Sequence, residues 1–201
     1  MTTIFTRCTC LVTLMLLPLA GQGTTRLILS LDELIENSPI IFTGTVEDIR
    51  IVEEGDVAYS LVSFAVSQVV KGDPALRELE LRFVGGDGAT IHTEVSGQFI
   101  PIKGANGLWF VDDASRALVN PLTGWSQGYF PIVEKADGTR WLDLQDHPDY
   151  GILAPAPPLA GKMRAFNVPS DQIAAQFPHE FEYPVDDFVA AIMAREPGLG
   201  R

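Results

Sequence analysis

The fold is decided by IIFTGTVEDIRIV (residues 40–52), EEGD (residues 53–56) and VAYSLVSFAVSQVV (residues 57–70). Apolar and polar residues alternate in both long runs, which is the period of a half-buried β-strand. EEGD contains the Gly–Asp pair typical of a hairpin turn. The alternation changes phase after Val46, which predicts a bulge or a sharp coil, and Gly44 offers a place for the bend. The stretch therefore predicts a long, bent antiparallel hairpin.

The β pattern continues beyond this hairpin. Leu79, Leu81 and Phe83 alternate with charged residues, so a third strand is predicted there. The pattern then favours short strands at residues 89–95, 108–111, 128–133 and 141–144, with Gly85–Gly88 as a turn before the first of them. No segment with helical periodicity lies between these strands. Consecutive strands with short connections form antiparallel barrels or sandwiches rather than parallel α/β sheets.

A short helix is predicted at each end of this β region. Ser30-Leu31-Asp32-Glu33 matches a capping box and is followed by apolar residues on one face, with Pro39 as the stop. Near the end of the chain, Asp186 or Asp187 is predicted to cap a second helix that ends before Pro197. The predicted fold is mainly β: an antiparallel OB-like barrel with a short N-terminal helix, a Pro-rich strap and a C-terminal helix.

Composition divides the chain further. Eight of the 14 prolines lie at position 148 or later, and Ala154 to Pro158 favour an extended polyproline conformation. The segment is predicted to be a strap over the barrel or a linker. The predicted organisation is a signal peptide (1–23), a β-barrel domain (24–145), a Pro-rich extended segment (146–183), and a C-terminal helix with its tail (184–201).

The first 23 residues have the order of a secretory signal. Arg7 precedes the apolar run LVTLMLLPLA at residues 11–20, and small residues follow it. The run is shorter than the roughly 20 residues that span a bilayer. A buried core helix is the alternative. Since Cys8 and Cys10 lie within this segment, the mature protein is predicted to be disulfide-free and to reside in the periplasm or outside a bacterial cell.

Charge and motifs exclude several classes of function. The formal net charge of −12 argues against nucleic acid and against anionic lipid, because both require a basic face. No nucleotide-binding fingerprint is present, and the three histidines lack the spacing of a metal site. Neither a cofactor nor a bound metal is predicted. The acidic clusters are interpreted as solvated surface.

One motif leaves an enzymatic alternative open. Gly124-Trp125-Ser126-Gln127-Gly128 matches the G-x-S-x-G nucleophile elbow, with His147 or His179 as the later base and Asp143 or Asp146 as the acid. An elbow needs a helix directly after the serine, yet residues 129–133 favour a strand and contain a proline. The alternative is a small serine hydrolase that uses Ser126 with His147 or His179, and the element after Gly128 discriminates between the two readings.

Aromatic residues gather in the second half of the β region. Trp109, Trp125, Tyr129 and Trp141 are the candidate binding residues, because aromatic side chains line grooves for sugars and peptides. Core packing is the alternative explanation. The predicted function is a non-enzymatic binding role outside the cytoplasm, with a protein, peptide or glycan as partner.

Three motifs resemble those of a group of small exported bacterial proteins. They are Gly44-Thr45-Val46, Val66-Ser67-Gln68-Val69-Val70-Lys71-Gly72 and Gln127-Gly128-Tyr129-Phe130. Ala105 follows Gly104 where that group is expected to have Glu. The resemblance implies an OB-like barrel similar to that of the tissue inhibitors of metalloproteinases and an exported location, but no catalytic residue. Those inhibitors chelate zinc through an N-terminal Cys, so the predicted mature chain lacks that route.

Overall fold

The computed structural model describes residues 29–114, 116–144 and 182–195. The helices are α1 (Leu31–Asn37) and α2 (Val185–Arg195), and the strands are β1 (Ile40–Glu54), β2 (Val57–Lys71), β3 (Glu78–Val84), β4 (Gly86–Asp87), β5 (His92–Thr93), β6 (Asn106–Val111), β7 (Tyr129–Glu134), β8 (Arg140–Asp143) and β9 (Glu182–Pro184). A 7-stranded antiparallel sheet has the order β3-β2-β1-β6-β7-β8-β9, and β4 pairs with β5. The prediction of a mainly β antiparallel fold with a short N-terminal and a C-terminal helix is confirmed.

Two predicted segments fall on residues that the structure does not describe. The predicted signal peptide, residues 1–23, lies wholly outside the described residues. The predicted Pro-rich strap, residues 146–183, also lies outside them except for Glu182 and Tyr183. Both assignments therefore stay predictions.

α1 begins with the capping box that the sequence indicates. The Ser30 hydroxyl accepts a hydrogen bond from the Glu33 backbone N–H at 3.3 Å, and the Glu33 carboxylate accepts one from the Ser30 N–H at 2.8 Å. These two bonds satisfy two backbone N–H groups that a helix start leaves without partners. At the other end, the Lys71 ammonium donates to the Ile35 carbonyl at 2.7 Å. This hydrogen bond between Lys71 and Ile35 connects the last turn of α1 with the end of β2.

β1 bends where the sequence changes phase. The β1–β2 register shifts between Ile41 and Phe42, between Thr43 and Gly44, and between Val46 and Asp48, which confirms the predicted irregularity. A Cβ at Gly44 would lie 2.4 Å from the Ala65 carbonyl oxygen, so only glycine fits this close approach. Beyond the bend, β1 continues as an arm that pairs with β2.

β1 and β6 separate two hydrophobic cores. On β6, Leu108 and Phe110 point to one face of the sheet, whereas Trp109 and Val111 point to the other. The helix-covered core contains Leu31, Leu34, Ile35, Ile41, Val70, Leu108, Phe110, Phe130, Ile132, Leu142, Leu144, Val185, Phe188, Val189 and Ile192. The loop-covered core contains Phe42, Val46, Val62, Phe64, Val66, Leu81, Phe83, Trp109, Val111 and Leu122. β6 is therefore buried on both faces, which suits its continuous run of apolar residues.

Residues 119–123 connect the end of β3 with the end of β6. The Val84 N–H donates to the Val119 carbonyl at 2.9 Å. The Asp112 N–H donates to the Pro121 carbonyl and the Thr123 N–H to the Phe110 carbonyl, both at 2.9 Å. These bonds hold residues 119–123 over one side of the loop-covered core, to which Leu122 belongs. The strand order nevertheless runs from β3 to β9 without a pairing between them among the described residues, so the expected closed barrel is not established.

The region between β3 and β6 differs from its predicted form. Residues 86–87, expected within a turn, pair as β4 with β5, and the strand expected at 89–95 is only two residues long. The reason is Glu53, whose carboxylate accepts the Thr90 N–H at 2.7 Å and the Ile91 N–H at 3.1 Å. Those two N–H groups are therefore not available to a strand ladder.

The C-terminal elements are tied to the sheet by packing and ion pairs. β9 pairs with β8, and α2 buries its apolar side in the helix-covered core. α2 begins at Val185, so Asp186 and Asp187 lie in its first turn and neither stands before the helix as its predicted cap. Carboxylates in a first turn still interact favourably with the positive end of the helix dipole. Asp186 also accepts a 2.9 Å hydrogen bond from Arg140 on β8.

Candidate functional site

An aromatic stack connects the loop-covered core with the surface. The Trp109 and Tyr129 rings stack with centroids 4.1 Å apart, and the Tyr129 and Phe99 rings stack at 5.2 Å. Trp109 is 0% exposed, whereas Tyr129 and Phe99 are half-buried. The stack therefore begins inside the protein and reaches solvent at its last two rings.

Two glycines on facing strands make this stack possible. The register pairs Gly44 on β1 with Gly107 on β6, and the Trp109 indole N–H donates to the Gly44 carbonyl at 2.9 Å. A Cβ at Gly107 would lie 2.4 Å from the Tyr129 ring, so glycine leaves the room that the ring occupies. Because Trp109 is buried and hydrogen-bonded, it supports Tyr129 and is not itself accessible to a ligand.

The face that carries Tyr129 continues as an apolar row across the last three strands. Phe130 and Ile132 of β7 point into the helix-covered core, so the alternating residues of β7 point to the opposite face. The register places Trp141 of β8 beside Val133, and Pro184 of β9 beside Trp141. We name this set the outer row: Tyr129, Pro131, Val133, Trp141 and Pro184. Val133 is 47% exposed and the other four side chains are half-buried.

Polar groups contact the Trp141 side chain on the outer row. Its indole N–H donates to the Thr139 hydroxyl at 2.8 Å, and the Lys135 ammonium lies 4.0 Å from the centre of its ring. That ammonium also donates to the Glu182 carboxylate of β9 at 2.5 Å. The ring, the cation and the carboxylate form one cluster that joins β8 and β9 to the residue that follows β7.

The Tyr129 hydroxyl adds one polar group to the row. Burial raises the pKa of Tyr129 above the ordinary value for a phenol, so the group stays neutral at neutral pH. Its Oη lies 3.5 Å from the Asn106 carbonyl oxygen, which is at the limit of a hydrogen bond. The one hydroxyl hydrogen of the phenol therefore already has a partner within the protein.

Ser126 lies in a turn that runs directly into a strand. Trp125–Gly128 form one turn of 3₁₀-helix, and Tyr129 is the first residue of β7. A nucleophile elbow instead places its serine before an α-helix whose first N–H groups stabilise the oxyanion. His147 and His179, the proposed bases, lie outside the described residues. The local architecture around Ser126 is thus that of a strand entry.

The neighbours of Ser126 have structural roles. The buried Gln127 accepts a hydrogen bond from the Leu29 N–H at 2.8 Å, which anchors the segment before α1. A Cβ at Gly128 would lie 2.7 Å from the Thr123 carbonyl oxygen. The Gln–Gly pair of the sequence motif therefore fixes two chain segments against each other.

The predicted binding residues do not form one groove. Tyr129 and Trp141 share the outer row, and Trp109 lies beneath Tyr129. Trp125 belongs to the turn, where its backbone takes a φ of 63°, a region that favours glycine. The structure adds Phe99, which sequence reasoning missed because it lies in a loop without periodicity. Pro131, Val133 and Pro184 were also missed, although the alternation along β7 could have indicated the first two.

The polar clusters of the described residues offer no metal centre. His92 faces Asp87 across the β4–β5 pair, with Nδ1 and Oδ1 2.5 Å apart, and both side chains are exposed. Asp112 accepts the Asp113 N–H at 2.6 Å, which is a local turn contact. Within the parts of the chain that the structure describes, no three His, Cys, Asp or Glu residues are grouped to hold a metal ion.

The described helices and the comparisons with known proteins give no further assignment. α1 and α2 are both too short to cross a bilayer, and no other described helix is long and apolar enough to do so. Neither the protein-family models nor the curated proteins contain a match to this chain.

Proposed function

We propose that this protein is a non-enzymatic binding protein that acts outside the cytoplasm and contacts a protein, peptide or glycan through the outer row. The observation that carries the proposal is the shared face of Tyr129, Val133 and Trp141, which lies on paired strands and remains half-exposed. A rigid sheet face with aromatic side chains loses little conformational entropy when a ligand binds. Trp109 and Phe99 hold the Tyr129 ring in place from two sides.

Replacement of row residues tests this function. Trp141 is the tryptophan on the row, so its fluorescence should change when oligosaccharides or peptides are titrated into the protein. Val133→Ser and Trp141→Ala should each weaken binding measured by calorimetry. Ile102→Ser is the matched control, because Ile102 is also an exposed apolar residue, at 74%, but lies off the row. Equal loss of binding in the control would contradict the proposal.

The hydrolase alternative is tested at Ser126. A fluorophosphonate probe labels an activated serine, so labelling that disappears in Ser126→Ala would favour the hydrolase. We expect no labelling, because the strand that follows Gly128 leaves no helix N-terminus for an oxyanion. The non-enzymatic reading is supported by this strand.

Location outside the cytoplasm is supported by the sequence pattern of residues 1–23. N-terminal sequencing of protein recovered from the cell envelope or the medium should begin near Gly21 or Thr24. Intact Met1 in cytosolic protein would contradict export, while the binding proposal for the outer row would remain testable.

We also propose that the strands close into an OB-like arrangement, as the resemblance to small exported proteins implies. The support is the set of hydrogen bonds through which residues 119–123 contact both Val84 of β3 and Phe110 of β6. An experimental structure that separates these two ends would contradict closure. Strong protection of the Val84 and Thr123 amides in hydrogen exchange would favour it.

A further inference from the structure

The strand β3 forms an open edge of the 7-stranded sheet. Among the residues that the structure describes, β3 pairs with β2 alone. The β2–β3 register runs without a shift from Tyr59 opposite Val84 to Ala65 opposite Glu78, and β3 contains no proline. Bulges and prolines are among the features by which proteins prevent an edge strand from pairing with another chain. β3 therefore has a regular backbone edge that a further strand can join.

Two hydrogen bonds show which backbone groups of β3 point outward. The Val84 N–H donates away from β2 to the Val119 carbonyl, whereas the Arg77 carbonyl accepts from the Val66 N–H of β2. Backbone groups alternate in direction along an antiparallel strand. The outward residues of β3 are therefore Glu78, Glu80, Arg82 and Val84. In the described part of the chain Val84 alone has a backbone partner on this side, so the proposed closure leaves residues 78–82 open.

The side chains of this edge follow an order that complements itself. Leu81 is buried in the loop-covered core and Leu79 packs against it, whereas the side chains of Glu78, Glu80 and Arg82 are exposed. An antiparallel copy of the same strand, centred on position 80, places position 78 opposite 82 and position 79 opposite 81. Glutamate then faces arginine, and leucine faces leucine.

We propose that two copies of this chain pair edge to edge through residues 78–82, with a two-fold axis at Glu80. Glu78 of each copy lies opposite Arg82 of the other, and the leucines of the two strands face each other. Opposite charges and apolar side chains at opposed positions stabilise an antiparallel pair, and the outward N–H and C=O groups gain partners. Because both copies use the same residues, the assembly closes as a dimer.

The charged groups at this edge are compatible with the pairing. Arg82 donates to Glu54 at 2.7 Å through Nη2 and lies over the Tyr59 ring, but a guanidinium carries several N–H donors and can also bond to a second carboxylate. The two Glu80 side chains meet near the axis, where like charges repel. Arg50 donates to Glu80 at 2.8 Å within each copy, which reduces that repulsion.

Self-association of the protein recovered from cells is the first test. Sedimentation velocity over the micromolar concentration range should show a shift from monomer to dimer as concentration rises. A protein that stays monomeric over this range would overturn the proposal.

A proline at the axis tests whether the dimer forms through this edge. Glu80→Pro removes an outward N–H and blocks a further strand, yet it removes no hydrogen bond to β2, and edge strands tolerate proline at such positions. The dimer should be lost. Glu80→Ala is the matched control, because it removes the same carboxylate but keeps the N–H, and it should still dimerise. Circular dichroism checks that both variants are folded. A Glu80→Pro variant that dimerises as tightly as the wild type would overturn the proposal.

Two charge reversals test the register. Glu78→Arg places arginine opposite arginine and Arg82→Glu places glutamate opposite glutamate, so each variant should self-associate about tenfold more weakly or worse. In an equal mixture of the two variants, opposite charges face each other again at both positions, and the mixture should form dimers more tightly than either variant alone. Glu47→Arg, the same change on β1 away from the edge, should associate like the wild type. A mixture that associates no better than its components would overturn the proposal, because another surface would then hold the dimer.

The dimer and the proposed binding function fail separately. The outer row belongs to β7, β8 and β9, whereas the pairing edge belongs to β3 at the other end of the strand order. Loss of the dimer in Glu80→Pro should leave ligand binding by the outer row of each copy in place. Loss of binding in Trp141→Ala should likewise leave the dimer intact.

Discussion

The two hydrophobic cores on either side of β1 and β6 are assembled from different parts of the chain. The loop-covered core takes its members from Phe42 to Leu122, mainly from three strands joined by short connections. The helix-covered core brings together the distant ends of the described chain, from Leu31 on α1 to Ile192 on α2. Contacts between residues near in sequence cost less loop entropy than contacts between distant ones. We therefore expect α2 to detach from the sheet while the loop-covered core stays intact.

The two cores also differ in the polar contacts that hold their elements together. In the loop-covered core the buried Trp109 indole donates a hydrogen bond to Gly44, and its ring packs edge-on against Phe64 at 5.0 Å. In the helix-covered core such contacts are ion pairs at the surface, such as that between Arg195 of α2 and Asp32 of α1. A buried bond in a dense aromatic cluster is protected from water, whereas surface pairs are screened by salt. We therefore expect mutations in the two cores to have different consequences.

The largest effect is expected at Trp109. Trp109→Ala removes a fully buried ring from the loop-covered core and leaves a cavity, so the free energy of unfolding should fall by about 4 kcal/mol. Urea denaturation measures this change. Trp141→Ala is the control with the same substitution at a half-buried surface position, and it should cost about 1 kcal/mol or less. Similar losses for both variants would mean that Trp109 is not the centre of this core.

A smaller and more local effect is expected at Ile192. Ile192→Ala should cost about 3 kcal/mol, because this side chain of α2 is fully buried in the helix-covered core. Hydrogen exchange should show faster exchange of the α2 amides with little change in β2. Met193→Ala, on the neighbouring and 39% exposed position, is the control. Uniformly faster exchange in α2 and β2 would show that the two cores unfold together.

Much of the fold could be predicted because its signals are local. The capping box at Ser30 and Glu33 starts α1 as predicted, and the alternation around Leu81 gives β3. The phase change after Val46 corresponds to a real shift in strand register. Each of these features depends on neighbouring residues, so a single sequence contains the necessary information.

The site could be predicted only in part because its geometry depends on distant contacts. Trp109 was expected to bind a ligand, yet it is buried, and the continuous apolar run of β6 was the available signal for burial on both faces. Phe99 stacks on Tyr129 from a loop, and no periodicity indicates that contact. The neighbour of Trp141 on β9, Pro184, comes from a remote part of the chain. Tertiary pairing alone brings these residues together.

Acid should loosen the loop that packs Phe99 against the loop-covered core. The hydrogen bonds from Thr90 and Ile91 hold the pKa of Glu53 below its ordinary 4.5. A depressed folded-state pKa stabilises the protein above the unfolded pKa, and that stability disappears as pH falls through the folded pKa. Glu53 anchors the loop that leads to Phe99, so the stability that it supplies should be lost below about pH 4.5.

Melting temperatures measured between about pH 7 and pH 3 test this expectation. Glu53→Gln should melt below the wild type at pH 7, and the difference should shrink towards the acidic end. Glu47→Gln, also exposed on β1, is the control and should show no such convergence. A constant gap between Glu53→Gln and the wild type over the whole range would show that the charge of Glu53 does not hold the loop.

The smallest effect is expected at the ion pair between the two helices. Arg195 Nε lies 2.7 Å from Asp32 Oδ1, but the Asp32 side chain is 78% exposed, so water and salt screen the attraction. A double-mutant cycle with Arg195→Gln and Asp32→Asn should give a coupling energy of about 0.5 kcal/mol, which falls in high salt. Arg195→Gln alone should cost more than this coupling, because the half-buried stem of Arg195 also packs and its guanidinium donates to the Ala191 carbonyl at 3.2 Å. A coupling energy near that of a buried pair, or one that salt does not change, would contradict this prediction. Charge would then hold α2 on the helix-covered core together with apolar packing, and the two cores would differ less than their contacts indicate.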